Sequence, residues 1–328
     1  MKKRQRKRPK DNFSSKVMNG IFVLLLATAM FFGLQVYSAS GDNLTFAQIS
    51  DAHFSTAKTN TSYRLTAESA ELLTDAVSQV NETPCVDFTM FTGDMINTPY
   101  EKELMKFLPI ANQLKCPWYA VFGNHDISVG GYLSKKLYLD ILNGHNRHFH
   151  SVKPYYSFVP KKGYKVIGLD SIIDDRITAN GKIDAEQLKW LNKELSKSKD
   201  DIVLIFLHGP LIEPLRSPNH SILNAAEVLE VINKYKNPIA IFSGHYHTTK
   251  VTQMGNVLHV STPSLVSYPN AFRIIKVSNQ KKKVIFDLEL KETRYKDVQK
   301  RAKMLAFGSK TYYGADDDRT ATYTIDKK

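Results

Sequence analysis

Five short stretches carry the residue types that hold metals and move protons. They are Asp51-Ala52-His53, Gly93-Asp94, Gly123-Asn124-His125-Asp126, His208, and Gly244-His245-Tyr246-His247. Taken singly, an aspartate after an apolar run is a turn or cap residue, and a lone histidine is satisfied by local bonds. The last stretch says more, because imidazoles two residues apart in an extended segment point the same way and reach a shared site. Together, the five bring oxygen and imidazole donors into one set, which suits first-row metals such as Mn, Fe or Zn better than Ca or Mg. The two cysteines, Cys85 and Cys116, lack the spacing of a metal site.

Each stretch follows a run with strand character. The runs are residues 44–50, 86–91, 118–122, 201–207 and 238–243, and further runs lie at 164–169, at 257–261 and in the segments FRIIKV and KVIFDLEL. Several are apolar throughout, as expected of strands covered on both faces. Between them lie helical periods: Leu65, Leu72, Ala76 and Val80; Leu104, Leu108 and Ala111; Leu188, Leu191 and Leu195; and residues 225–235. Alternation of strand and helix predicts a layered α/β domain whose ligands gather outside the carboxyl ends of its strands. The C-terminal strands and YYSFVPKKGYKVIGLD read as hairpins adding antiparallel pairs. Three parts follow: residues 1–40, a domain over 41–291, and a basic helix and tail over 292–328 without functional signature.

The order Asp-x-His, Gly-Asp, Gly-Asn-His-Asp, His, Gly-His-x-His across residues 44–275 closely resembles the calcineurin-like metallophosphoesterase superfamily. The stretch GKIDAEQLKWL at 181–191 is similar to its cyclic-nucleotide phosphodiesterase branch. The resemblance implies a four-layer sandwich of two mixed β-sheets flanked by helices, and a centre of two metal ions. It implies that Asp51, His53 and His247 hold the first metal, that Asn124, His208 and His245 hold the second, and that Asp94 bridges them. A bridging hydroxide would attack phosphorus, and His125 would protonate the leaving group. Asp126 would orient a neighbouring ligand or cap the following segment. Asn97 would touch substrate or start a turn. Two departures stand out. Gly209 replaces the second histidine of the His-His-Pro found in many relatives, and the Gly-Asp motif lacks the tyrosine of purple acid phosphatases.

The expected activity is two-metal hydrolysis of a small-molecule phosphoester, with a phosphodiester such as a cyclic nucleotide first. Phosphomonoesters, nucleotides and lipid diesters are alternatives. A catalytically silent metal-binding scaffold is the reading from another class, and the presence of all seven ligands and His125 counts against it. Other groups are set apart from this chemistry: the histidines His145, His148 and His150, with Arg147, read as a solvated loop, and Tyr246 reads as packing.

Charge does not make this a nucleic-acid binder. Eight basic residues and one acid before residue 20 carry +7 of the +13 net charge, leaving +6 for the rest. Directly behind them, residues 21–37 run IFVLLLATAMFFGLQVY without a charge. A basic flank and an apolar core form a signal peptide or membrane anchor, with the remainder outside the cytoplasm. In that oxidising setting Cys85 and Cys116, each just before a strand, would form a disulfide or remain two buried thiols.

Overall fold

The computed structural model describes residues 43–327. The basic and apolar segments before residue 40 lie outside the described residues, and no described helix is long and apolar enough to cross a membrane.

Twelve strands among the described residues form two six-stranded sheets. The first holds β1 (Asn43–Ile49), β2 (Phe88–Thr92), β3 (Trp118–Val121), β10 (Ala271–Asn279), β11 (Lys283–Glu292) and β12 (Ala321–Asp326), in the order β12-β11-β10-β1-β2-β3. The second holds β4 (Tyr156–Phe158), β5 (Tyr164–Gly168), β6 (Ile202–Phe206), β7 (Ile239–Ser243), β8 (Lys250–Met254) and β9 (Val257–Ser261), in the order β4-β5-β6-β7-β9-β8. Strands β1, β2 and β3 run parallel, as do β5, β6, β7 and β9, while hairpins add antiparallel edges. Both sheets are therefore mixed, as expected.

Period-two alternation places the layers. Along β1, Leu44 and Phe46 enter the core between the sheets, and Ala47 and Ile49 enter the outer one. Phe46 stacks on Phe88 of the first sheet with ring centroids 5.0 Å apart and meets Phe242 of the second edge-on at 5.1 Å. Helices α1 (Ser69–Glu82) and α2 (Glu101–Ala111) and, beyond the short α3 (Asn124–Ile127), α4 (Lys135–His145) supply apolar residues to the outer core of the first sheet. Helices α5 (Ala185–Lys197) and α6 (Ala225–Asn233) cover the second. Near the carboxyl ends of the strands, buried Gln48 donates to Ser243 O and Thr92 Oγ1, both at 3.1 Å, and accepts from Thr262 Oγ1 at 2.6 Å. This polar tie joins the two sheets beneath the loops that follow.

The described part of the C-terminal segment, residues 292–327, is not an appendage. Helix α7 (Lys296–Leu305) packs Val298 and Ala302 against Leu65 and Leu72, and β12 pairs with β11 as an edge strand. Buried Arg273 of β10 donates to the backbone carbonyls of Asp318 and Arg319 at 2.7 and 3.2 Å. A guanidinium without access to water needs such acceptors, so the tail belongs to the domain's folding unit.

Cys85 and Cys116 are unpaired. Extending the register Thr89↔Trp118 back two residues sets Asp87, not Cys85, beside Cys116. Cys116 Sγ meets Thr89 Oγ1 at 3.3 Å instead, and Cys85 faces solvent.

Candidate dinuclear metal centre

All seven expected ligands converge at the carboxyl ends of β1, β2, β3, β6 and β7, and all are buried. Tight loops bring them there. Asp51, His53, Asp94, His245 and His247 have φ of 50°, 38°, 48°, 70° and 53°, a left-handed backbone that Asp and His tolerate better than bulkier residues. His245 and His247 therefore do not lie in an extended segment; they turn into different clusters. The loops are tied by backbone bonds from Asp51 N to Gly93 O at 3.1 Å, His53 N to Asp94 O at 2.9 Å and Gly244 N to His208 O at 2.9 Å. A Cβ on Gly123 would lie 2.2 Å from Asp94 Oδ1, and one on Gly244 2.3 Å from Asp51 Oδ2. Only glycine permits these approaches.

Two groups result. In the first, His247 Nε2 lies 3.2 Å from both Asp51 Oδ1 and His53 Nε2. In the second, His208 Nε2 lies 3.2 Å from Asn124 Oδ1 and 3.0 Å from His245 Nδ1. Asp94 Oδ2 stands between them, 3.5 Å from His53 Nε2 and 3.4 Å from His208 Nε2. Such spacings match donors sharing one cation at about 2.1 Å, which sit roughly 3 Å from each other.

The donor set also fits cations chemically. Asp51 Oδ2 is satisfied by Ser50 Oγ at 2.5 Å and His245 N at 3.0 Å, whereas buried Oδ1 has no hydrogen-bond donor. Asp94 Oδ1 accepts from His125 N at 2.8 Å, leaving Oδ2 for the centre. Outer bonds select the imidazole tautomers: His208 Nδ1 donates to Thr92 O at 2.8 Å, and His247 Nδ1 pairs with Ser267 Oγ at 3.0 Å. Burial works against charge on His208, yet the Asp94 carboxylate outweighs it and pushes the imidazole up to about 10. Burial likewise raises Asp94, but His208, His125 and His53 hold it well below the usual carboxylate range. The pocket thus calls for positive charge between these groups. Burial drives His53 and His245 well below ordinary histidine, which favours the neutral ring a metal requires.

His125 faces the first group, its ring centroid 4.7 Å from that of His53. Its Nδ1–H donates to Asn97 O at 2.8 Å, which turns Nε2 toward Arg64 Nη1 at 3.0 Å. Asn97 contributes through its backbone, so its contact is with His125. Asp126 caps the segment that follows rather than bonding an imidazole. Its Oδ2 accepts from Gly123 N at 2.8 Å and its Oδ1 from Ile96 N at 3.1 Å, bracing the loops that carry Asn124 and Asp94. Burial, then the neighbouring Asp94 charge, pushes its carboxyl up to about 7.

Arg64 escaped the sequence reading. It reaches His125 and, at 3.5 Å, His53 Nδ1 from a turn closed by Thr61 and Arg64, and nothing in TSYR marks a site. Ser50 and Ser267, which fix ligand orientation, carry no signal either. His220 was also missed. Its ring lies 5.1 Å from that of His245, while Ile222 approaches within 2.7 Å of where a Cβ on Gly209 would stand. Arg147 and His148, with His145, line a depression with Trp118 at the opposite, amino end of β3, and Tyr246 is buried, as packing requires.

Comparison with known proteins agrees with this architecture. A protein of Arcobacter nitrofigilis named "Probable glycerophosphodiester phosphodiesterase GpdQ" is 28% identical over 188 residues, covering 56% of this chain and 65% of that one. One of Fibrobacter succinogenes named "Probable cyclic nucleotide phosphodiesterase" is 27% identical over 181 residues, covering 55% and 64%. The match spans just under two thirds of the length of these relatives. In fold, the chain is similar to the crystal structure of a dimetal phosphatase from Danio rerio, with a TM-score of 0.60 at 18% identity over 74% of this chain and 95% of that one. Residues 44–249 match the family model for calcineurin-like phosphoesterases, well over half of the chain, and the protein belongs to that family.

Proposed function

We propose that the protein hydrolyses a phosphodiester with two first-row metal ions, Mn, Fe or Zn. Asp51, His53 and His247 would hold one, Asn124, His208 and His245 the other, and Asp94 would hold both. One observation carries this reading: Asp94 Oδ2 lies within 3.5 Å of an imidazole nitrogen in each group, so a single buried oxygen is common to two donor sets. When bound, such a pair of cations supplies an activated water and neutralises phosphoryl charge. The chain's own residues do the rest. Arg64 directs its guanidinium at the gap between His53 and His125, where a phosphoryl oxygen would find a bidentate donor. His125, with Nδ1–H engaged by Asn97 O, presents Nε2 as the atom that protonates the departing alkoxide.

A phosphodiester is preferred over a monoester because the relatives are named as a probable glycerophosphodiester phosphodiesterase and a probable cyclic nucleotide phosphodiesterase. The basic and then apolar order of residues 2–37 supports placing this chemistry outside the cytoplasm, with the chain held to the membrane where the apolar segment is retained. Metal analysis of the full chain together with hydrolysis of bis-p-nitrophenyl phosphate tests the proposal. Two bound equivalents and turnover are expected, and Asp94→Asn should lose both. Full metal loading with no cleavage of either the bis- or the mono-p-nitrophenyl ester would make the centre a scaffold.

A further inference from the structure

The wall beside the first donor group is aromatic, and part of it comes from the C-terminal segment. Tyr63 places its ring centroid 5.8 Å from that of His247, and Tyr312 lies nearly parallel to Tyr63, at 6.4 Å and 23°. For comparison, Phe46 and Phe88, in direct core contact, stack at 5.0 Å. Tyr63 is 37% exposed although its neighbour His247 is 4% exposed. Tyr63 is therefore partly open to solvent at the edge of a buried polar centre.

The backbone that carries each ring is held in place. Tyr63 sits in the turn closed by Thr61 N to Arg64 O at 3.1 Å and Arg64 N to Thr61 O at 3.0 Å, and Leu65 N anchors that turn to Val266 O at 2.7 Å. Tyr312 offers its carbonyl to Thr249 N at 3.0 Å and Thr249 Oγ1 at 2.9 Å, two residues after His247. Adjacent residues thus present a ring and a cation. Arg64 reaches the gap between His53 and His125, and Tyr63 lies beside His247.

Resting on the phosphodiesterase reading above, we propose that Tyr63 and Tyr312 form a stacking subsite for a planar heterocycle, so that the substrate is a nucleotide diester rather than a glycerol one. Glycerol and its headgroups have no π face to set against these rings, whereas every nucleobase has one. The relatives matched here carry names that differ in this very group. Tyr312 lies beyond the matched residues 44–249, so this selectivity element is built by a part of the chain outside the family model.

The test compares binding of AMP and of inorganic phosphate to the full-length, Mn-loaded protein by calorimetry. Wild type should bind AMP more tightly than phosphate. Leucine at either tyrosine removes the π face at similar bulk and should reduce that preference roughly tenfold, the effect of losing about 1.4 kcal/mol of stacking. Tyr63→Phe should retain the preference and Tyr63→Trp should increase it, which keeps the proposal testable if leucine impairs folding. It is overturned if wild type binds AMP no better than phosphate, or if the preference is unchanged in both leucine variants or in Tyr63→Trp. Loss of phosphodiester cleavage with the preference intact would instead unseat the catalytic reading and leave the subsite standing.

Discussion

His125 shows how much a single side chain depends on its backbone surroundings. With Nδ1–H donating to Asn97 O, only Nε2 can face a substrate, and there it accepts from Arg64. For proton delivery to a leaving group, that contact must open and the ring must carry a second proton. Replacing His125 by Ala should therefore lower kcat for an alkyl phosphodiester by about 10²-fold or more. A p-nitrophenyl ester, whose phenoxide leaves without a proton, should lose much less. Steady-state kinetics on the two esters decides the matter, and equal losses would remove His125 from the acid role. The residues that converge were legible from the five strand-end stretches, because a metal's preference for oxygen and imidazole restricts the choice of candidates. Arg64 and Tyr63 were not, because their role comes from a turn that folds back across the centre.

At the scale of elements, the loops are more specialised than the strands that end in them. A Cβ on Gly244 would fall 1.8 Å from Ser50 Oγ and 2.3 Å from Asp51 Oδ2, so the bond between those two side chains could not survive. Gly244→Ala is expected to lower metal content toward one equivalent, and elemental analysis would show it. Full loading would mean the Asp51 loop can yield.

Elements also record their electrostatics in pH. Glu194 of α5 meets Lys165 of β5 at 2.9 Å, Lys197 at 2.8 Å and Ser157 of β4 at 2.8 Å. Burial alone would raise its carboxyl, but these bonds prevail and hold it at about 2, against 4.5 for an ordinary glutamate. A depressed carboxylate stabilises the fold fully above the unfolded value, and the contribution is lost as pH falls from about 4.5 through 2. Thermal melts from pH 6 to pH 2 should therefore show a shallower acid decline in Glu194→Gln than in wild type; parallel curves would refute the assignment.

Most strands were visible in the sequence as apolar runs because they are covered on both faces. The two that were not, β8 and β12, are edge strands whose mixed exposure leaves no such run. Helix α4 was hidden for another reason: its buried Tyr138, Leu139, Ile141 and Leu142 form one short run broken only by Asp140, too brief to show a helical period.

For the whole molecule, the origin of the ligands matters more than their number. Asp51, His53, Asp94 and Asn124 follow strands of the first sheet, and His208, His245 and His247 follow strands of the second. Each donor group draws on both sheets: His247 joins Asp51 and His53, and His208 and His245 join Asn124. A cation in either group is thus a cross-link between the halves of the sandwich, set above the Gln48 tie. Since ions that bind only the folded state stabilise it by mass action, about 4 kcal/mol at a thousand times Kd, chelation should lower Tm by several degrees and added Mn should restore it. An unchanged melt would mean that the sheets hold without the ions.

The same arrangement makes the centre a gauge of assembly. No donor set is complete until both sheets have formed and docked, so a chain that folds one sheet alone has no site for either ion. A chain made without metal would gain its cations only after folding, and the order in which amides become protected from hydrogen exchange would record that sequence: strands first, strand-end loops last.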